Sequence, residues 1–234
     1  MSAETDRLQA GETTRAIQIP TGSITLDGEL AVPPDPSGLV IFAHGSGSSR
    51  RSPRNQEVAC LLRKAGLGTL LFDLLTPAEA AEDARTSRLR FNMGLLTQRL
   101  VCAAHWLADE DEARHLRLGF FGASTGGGAA LVAAADLGKF IGAVVSRGGR
   151  PDLAGNALRR VKAPVLLIVG EQDESVLEFN EEAYEMLNGE KTLAIVPGAT
   201  HLFEEAGALE EVARLAADWF LEHLRPFSGA RFTR

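Results

Sequence analysis

Six short, almost uninterrupted apolar runs alternate with segments of helical period along this chain, and few architectures accept that alternation. The runs are GLVIFAH (38–44), LGTLLFD (67–73), LRLGFFG (116–122), FIGAVVS (140–146), APVLLIVG (163–170) and KTLAIVPG (191–198). A strand that is apolar at nearly every position must be covered on both faces. Intervening helices are how a mostly parallel sheet covers itself. Before the first run, TTRAIQIP and SITLDGELAVP alternate apolar with polar residues around Thr21 and Gly22, which reads as an antiparallel hairpin at the sheet edge. The expectation is an α/β sheet of about eight strands, mostly parallel, with helices on both faces.

The helical stripes fit this plan. Val58, Leu61, Leu62 and Ala65 share one face, as do Leu96, Leu100, Ala103 and Leu107, and later Leu209, Val212, Ala213, Ala216 and Phe220. Pro226 reads as a helix stop. No repeat, low-complexity tract or Pro/Gly/Ser linker interrupts the 234 residues. One domain over 13–225 is therefore expected, with flexible ends at 1–12 and 226–234.

Composition removes several function classes. The apolar runs reach about eight residues, against the roughly twenty that a membrane-crossing helix requires. Lys+Arg of 24 against Asp+Glu of 31 gives a net charge of −7, which argues against nucleic acid or an anionic membrane as the main partner. The opening MSAETDRLQAGETTR contains no apolar core of a secretory signal, so a cytoplasmic location is expected. Cys60 and Cys102 sit in apolar helical stretches, where free cysteines are expected to behave as small buried hydrophobes. No disulfide framework, metal site or cofactor is implied.

Chemistry concentrates directly after LRLGFFG, where Gly122-Ala123-Ser124-Thr125-Gly126-Gly127-Gly128 leads into the helix-forming AALVAAAD. Two motifs match this string. G-x-S-x-G is the nucleophile elbow, in which Ser124 occupies a sharp strand-to-helix turn and the helix amides face developing negative charge. Gly122, Gly126 and Gly128 also fit a dinucleotide loop, which would make the chain a nicotinamide oxidoreductase. Such a loop normally follows the first strand of its unit, however, and this one lies beyond residue 120. A Tyr-x-x-x-Lys pair cannot be drawn either, because the one tyrosine, Tyr184, has Asn188 four positions on.

A serine nucleophile needs a base, and histidine is the side chain suited to that task near pH 7. His105 and His223 lie in helical stretches and His115 in a polar connection, so packing or surface roles account for them. His44 reads as structural, bonded to backbone beneath its loop. His201 follows the last strand in VPGATHLFEE and is the expected base. Asp173, in VGEQDESV, is the expected acid that orients it. Glu171 stands in reserve, and a helix N-cap is the plainer explanation for Asp173. The order Ser124, Asp173, His201 is that of α/β-hydrolases. The oxyanion hole is expected from the amides of Thr125 and Ser46, the latter in the HGSGSS loop.

HGSGSSRRSPRN, LLFDLLTP, FGASTGGG, VVSRGGRPDLAG, LIVGEQD and PGATHLFEE together resemble the α/β-hydrolase superfamily and, within it, the small dienelactone-hydrolase-like branch whose domains occur alone or fused to phosphoribosyltransferases. The resemblance implies an α/β-hydrolase fold and a serine hydrolase acting on a carboxylic ester or lactone. It departs at the elbow, where dienelactone hydrolases carry cysteine and this chain carries Ser124. A non-catalytic module of the same fold that binds a partner protein is the alternative.

Only about seventeen residues separate FIGAVVS from APVLLIVG, so no large cap domain and an open site are expected. The insertion at 76–91 is a candidate partial flap. Arg50, Arg51, Arg54, Arg147 and Arg150 fall in loops at one sheet edge. Arg147 and Arg54 are therefore candidate substrate-binding residues for a carboxylate or phosphate. Ion pairing with the many acidic residues is the competing explanation for each arginine.

Overall fold

A computed structural model describes residues 13–225; the expected flexible ends at 1–12 and 226–234 lie outside the described residues. Strands β1 (Thr13–Thr21) and β2 (Ile24–Val32) form the leading hairpin. The parallel runs become β3 (Leu39–Ala43), β4 (Gly68–Phe72), β5 (Leu118–Ala123), β6 (Ile141–Arg147), β7 (Val165–Gly170) and β8 (Lys191–Val196). Their spatial order is β1-β2-β4-β3-β5-β6-β7-β8. β2 runs antiparallel to both β1 and β4, and the remaining pairs are parallel. This is the α/β-hydrolase fold.

Two details of the sheet differ from the sequence reading. Thr21 pairs with Ile24, so the hairpin turn is Gly22-Ser23 and not Thr21-Gly22; the positive φ of 59° falls on Gly22. β8 was expected to be covered on both faces, yet it is the edge strand and leaves Ile195 47% exposed. An apolar run alone does not reveal which strand ends the sheet.

Alternate residues of each inner strand serve opposite faces. Val40 and Phe42 of β3 pack with α1 (Pro53–Lys64) and α6 (Ala208–His223), through Val58, Leu62, Val212 and Phe220. Leu39, Ile41 and Ala43 join the other layer, which holds α3 (Met93–Asp109), α4 (Thr125–Leu137) and α5 (Glu174–Met186). Cys60 and Cys102 are free and only half-buried, a correction to the expected burial, because each lies at the margin of its helix stripe. Among the described residues no helix is long and apolar enough to cross a membrane.

The insertion at 76–91 contains helix α2 (Pro77–Thr86). Thr76 and Glu79 cap it reciprocally, and Pro77 stands at its first turn. The link from β6 to β7 is a 3-10 segment over Pro151–Arg160, kinked at Gly155. No cap domain occupies that link.

Candidate active site

The site grows from the turn between β5 and α4. Ser124 has φ 51° and ψ −123°, a conformation that residues with a Cβ rarely adopt. Local backbone bonds hold it there. The Ser124 N–H donates to Arg147 O at 3.2 Å, and the Ser124 carbonyl accepts from Gly127 N at 2.9 Å and Arg150 N at 3.0 Å. Glycine is required on both sides of the turn. A Cβ on Gly122 would lie 2.5 Å from Gly127 Cα, and one on Gly126 would lie 2.2 Å from the Ala43 carbonyl oxygen.

His201 Nδ1 lies 2.6 Å from Asp173 Oδ2. A carboxylate can only accept, so Nδ1 carries the proton and Nε2 of the neutral ring is left as an acceptor. Asp173 stands at the N-cap position of α5, but its side chain makes no capping bond. The choice between cap and histidine partner thus falls on the histidine. Glu171, the reserve acid, is engaged elsewhere: its Oε2 accepts from Gly198 N at 2.7 Å and ties down the turn that leads towards His201.

Ser124, His201, Ser46, Arg54 and Arg147 line one cavity of about 250 Å3, together with Asn55 and Leu202. Ser124 and His201 share this cavity without a hydrogen bond between them among the described residues. Thr125 faces a second, larger cavity of about 470 Å3 that also reaches Gly45, Ser46 and Ser48. The Ser46 and Thr125 hydroxyls meet at 3.0 Å where the cavities adjoin. Neither residue's amide has a backbone acceptor among the described residues, which leaves both amides free to bind a ligand oxygen.

The dienelactone hydrolase family profile matches residues 26–228. A crystal structure of dienelactone hydrolase from Anabaena variabilis is 56% identical to this chain, covers 92% of it and 99% of its own length, and superposes with a TM-score of 0.90. The chain belongs to the dienelactone hydrolase family. Est1E from Butyrivibrio proteoclasticus, solved with ferulic acid bound, shares the fold at 20% identity, with 89% of this chain and 99% of that one covered and a TM-score of 0.76. Two curated Mycobacterium tuberculosis proteins that carry the provisional name phosphoribosyl transferase are 55% identical over 208 residues, or 89% of this chain. The chain spans 46% of their length, about half. The family is one of dienelactone hydrolases, and the solved neighbours include a cold-adapted esterase and a dienelactone-hydrolase-like phosphotriesterase.

In this member of the dienelactone hydrolase family, two features frame the nucleophile. His44 is buried, accepts from Leu74 N at Nε2 (3.0 Å) and approaches Gly45 O with Nδ1 (3.0 Å). That pattern is the neutral ring, and burial lowers its pKa accordingly. His44 thus joins the loops after β3 and β4, in the structural role its sequence position suggested. Asp73 adds to this by accepting from Arg50 N at 2.7 Å and from the Arg50 guanidinium.

Arg51 is exposed, and the other four arginines at this edge separate into two kinds. Arg50 pairs with Asp73, Arg54 with Glu204 at 3.0 Å, and Arg150 with Asp152 at 2.7 Å. Arg147 is 6% exposed, its Nε has no partner, and no carboxylate lies within ion-pair distance among the described residues. Its guanidinium stacks over Phe203 at 5.6 Å, and Nη2 lies 3.5 Å from Asn55 Oδ1. Burial, with the Arg54 charge adding to it, pushes its pKa down to about 10, so it is still a cation at neutral pH.

Sequence reasoning missed three supporting residues. Asn55 lies in the first turn of α1, whose start Ser52 and Pro53 mark. Asn180 is buried on α5 and donates to Gly149 O at 3.0 Å, which steadies the turn that binds the Ser124 carbonyl. A polar residue within an otherwise apolar stripe is the signal that could have found them. Phe203, with a positive φ of 56°, gave no such signal.

Proposed function

We propose that this chain is a serine hydrolase that cleaves a carboxylic ester, lactone or related acyl bond through an acyl-enzyme. The Ser124 hydroxyl attacks the substrate carbonyl while His201 Nε2 takes its proton. Asp173 holds the imidazole in the required tautomer and stabilises the imidazolium. The Ser46 and Thr125 amides receive the oxyanion. Collapse of the tetrahedral intermediate expels the alcohol, protonated by His201, and leaves an ester on Ser124. Water, deprotonated by His201, then attacks that ester and releases the acid. The Ser124–His201 bond is expected to form as substrate closes the site, since such bonds are often long in empty enzymes.

The observation that carries this reading is the 2.6 Å Asp173–His201 contact at the cavity where the strained Ser124 is presented. Cysteine at the elbow is not required, because a serine activated by a histidine base performs the same acyl transfer. Profiling across short esters, thioesters and lactones should find turnover that Ser124→Ala abolishes. Unchanged turnover in that variant would refute the mechanism.

The longer Mycobacterium tuberculosis relatives support a second reading, a non-catalytic module that acts beside a phosphoribosyl transferase domain. Absence of turnover across the whole panel, together with stable capture of such a domain, would favour it.

A further inference from the structure

The two residues whose amides serve the oxyanion in the proposed reaction also meet through their side chains. Ser46 Oγ and Thr125 Oγ1 lie 3.0 Å apart although 79 positions separate them in sequence. Thr125 is buried at the start of α4, and Ser46 is half-buried in the loop after β3. That loop is soft by composition. Gly45 and Gly47 flank Ser46, and Gly47 has a positive φ of 67°, so the backbone on either side resists displacement weakly.

Other bonds hold the loop away from the elbow. The Ser48 N–H donates to Gly45 O at 3.2 Å within the loop, while the Leu74 N–H donates to His44 Nε2 at 3.0 Å and the Arg50 N–H to Asp73 Oδ1 at 2.7 Å, both towards the loop after β4. Among the described residues, Ser46–Thr125 is the one side-chain hydrogen bond between residues 45–50 and 124–128. An oxyanion hole works only if its donors stand about 2.7–3.1 Å from the developing charge. Here one donor belongs to a firm helix start and the other to a glycine-flanked loop.

We propose that the Ser46 and Thr125 hydroxyls form a positioning pair, whose bond sets the distance between the two amides of the oxyanion hole. This deepens the hydrolase reading and rests on it. Each hydroxyl is one carbon removed from the backbone that it holds, so a bond between the two limits how far the loop can move from α4. The pair contacts the reacting atoms only through the amides. Its contribution therefore belongs to the transition state, where the carbonyl oxygen gains charge, and little of it to substrate binding. Because neither hydroxyl titrates near neutrality, the contribution does not depend on pH.

The test is a double-mutant cycle read with 4-nitrophenyl butyrate. Thr125→Val keeps the side-chain shape and removes the hydroxyl; it should lower kcat by about 10- to 100-fold, with KM within about threefold and the midpoint of the pH profile unmoved. Acylation and deacylation both use the hole, so the loss appears whichever step is slower. Ser46→Ala should lose as much, and it tests the same bond from a half-buried position if Thr125→Val fails to fold. The double variant should lose no more than either single one, because the bond is removed only once. Thr125→Ser restores a hydroxyl and should recover most of the loss. A butyl trifluoromethyl ketone, which adds to a serine hydroxyl to leave an oxyanion, should bind each hydroxyl-free variant more weakly by the factor lost in kcat/KM. Undiminished kcat, a loss confined to KM, losses that multiply in the double variant, or no recovery with Thr125→Ser would each overturn the positioning pair while leaving the hydrolase reading in place. An unmodified protein that turns over no ester and binds no fluoroketone would overturn the hydrolase reading, and the pair with it.

Discussion

The elbow at Ser124 and the α2 insertion flank the same loop after β3, yet they are held by different means. The elbow is fixed by backbone: its N–H and carbonyl are engaged by Arg147, Gly127 and Arg150, and the space for a Cβ at Gly122 and Gly126 is already filled. The α2 segment is fixed by side chains. Asp83 is buried and accepts from Leu89 N at 2.8 Å, Arg90 N at 3.0 Å and Arg90 Nε at 2.6 Å, while Glu79 pairs with Arg99 at 2.9 Å. Geometry that chemistry cannot relax is thus built into the sheet, and the wall of the larger cavity is attached from outside. The expected consequence is that damage to the first region destroys turnover or folding, whereas damage to the second retunes substrate choice.

Asp173→Asn should give the largest effect, a fall in kcat of about 10⁴-fold, because the amide can present a donor and favour the wrong imidazole tautomer. Glu171→Gln, two residues away, should leave kcat within a few-fold, since Glu171 binds Gly198 N rather than His201. Comparable losses in the two variants would erase the distinction between them. Next, Gly126→Ala should destabilise the fold by roughly 3 kcal/mol in a denaturant titration, as the new methyl meets the Ala43 and His44 carbonyls. Retained stability there would mean that the elbow is less constrained than the contacts imply.

The α2 side should respond more gently. Arg90→Ala removes one clamp on Asp83 and is expected to change KM across esters of different acyl length by about tenfold or less, with kcat for the smallest ester preserved. Loss of kcat for every ester would tie α2 to the chemistry itself. The smallest effect is one of pH. Burial alone would raise the Asp83 carboxyl, but the Arg90 N–H and guanidinium and the Leu89 N–H outweigh it and hold its pKa below the usual value. A carboxyl depressed in the fold stabilises α2 above the ordinary aspartate range, and that contribution fades as the pH falls through the lowered value. Hydrogen exchange in 77–92 should therefore rise in acid before exchange in β5 does. Simultaneous loss in both segments would contradict the separation of the two regions.

This contrast also explains what could be read from the sequence. Ser124, Gly122 and Gly126 announce the elbow because the turn excludes other residue types, and strand periodicity announces the sheet. Spacing favoured Asp173 and kept Glu171 in reserve, since both follow β7 within three residues, and it is the fold that sets Asp173 against His201 and Glu171 against Gly198. The five arginines looked alike in the chain, and only the fold separates the carboxylate-paired Arg50, Arg54 and Arg150 from the exposed Arg51 and the buried Arg147. β8 reads like an inner strand because its residues match those of one, and its place at the edge follows from chain order in space.

The proposal stands most directly on a covalent adduct. Brief exposure to a fluorophosphonate, followed by proteolysis and mass spectrometry, should place a single modification on the peptide that contains Ser124, and Ser124→Ala should remain unlabelled. A label on another serine, or none on a protein that turns over esters, would contradict the account.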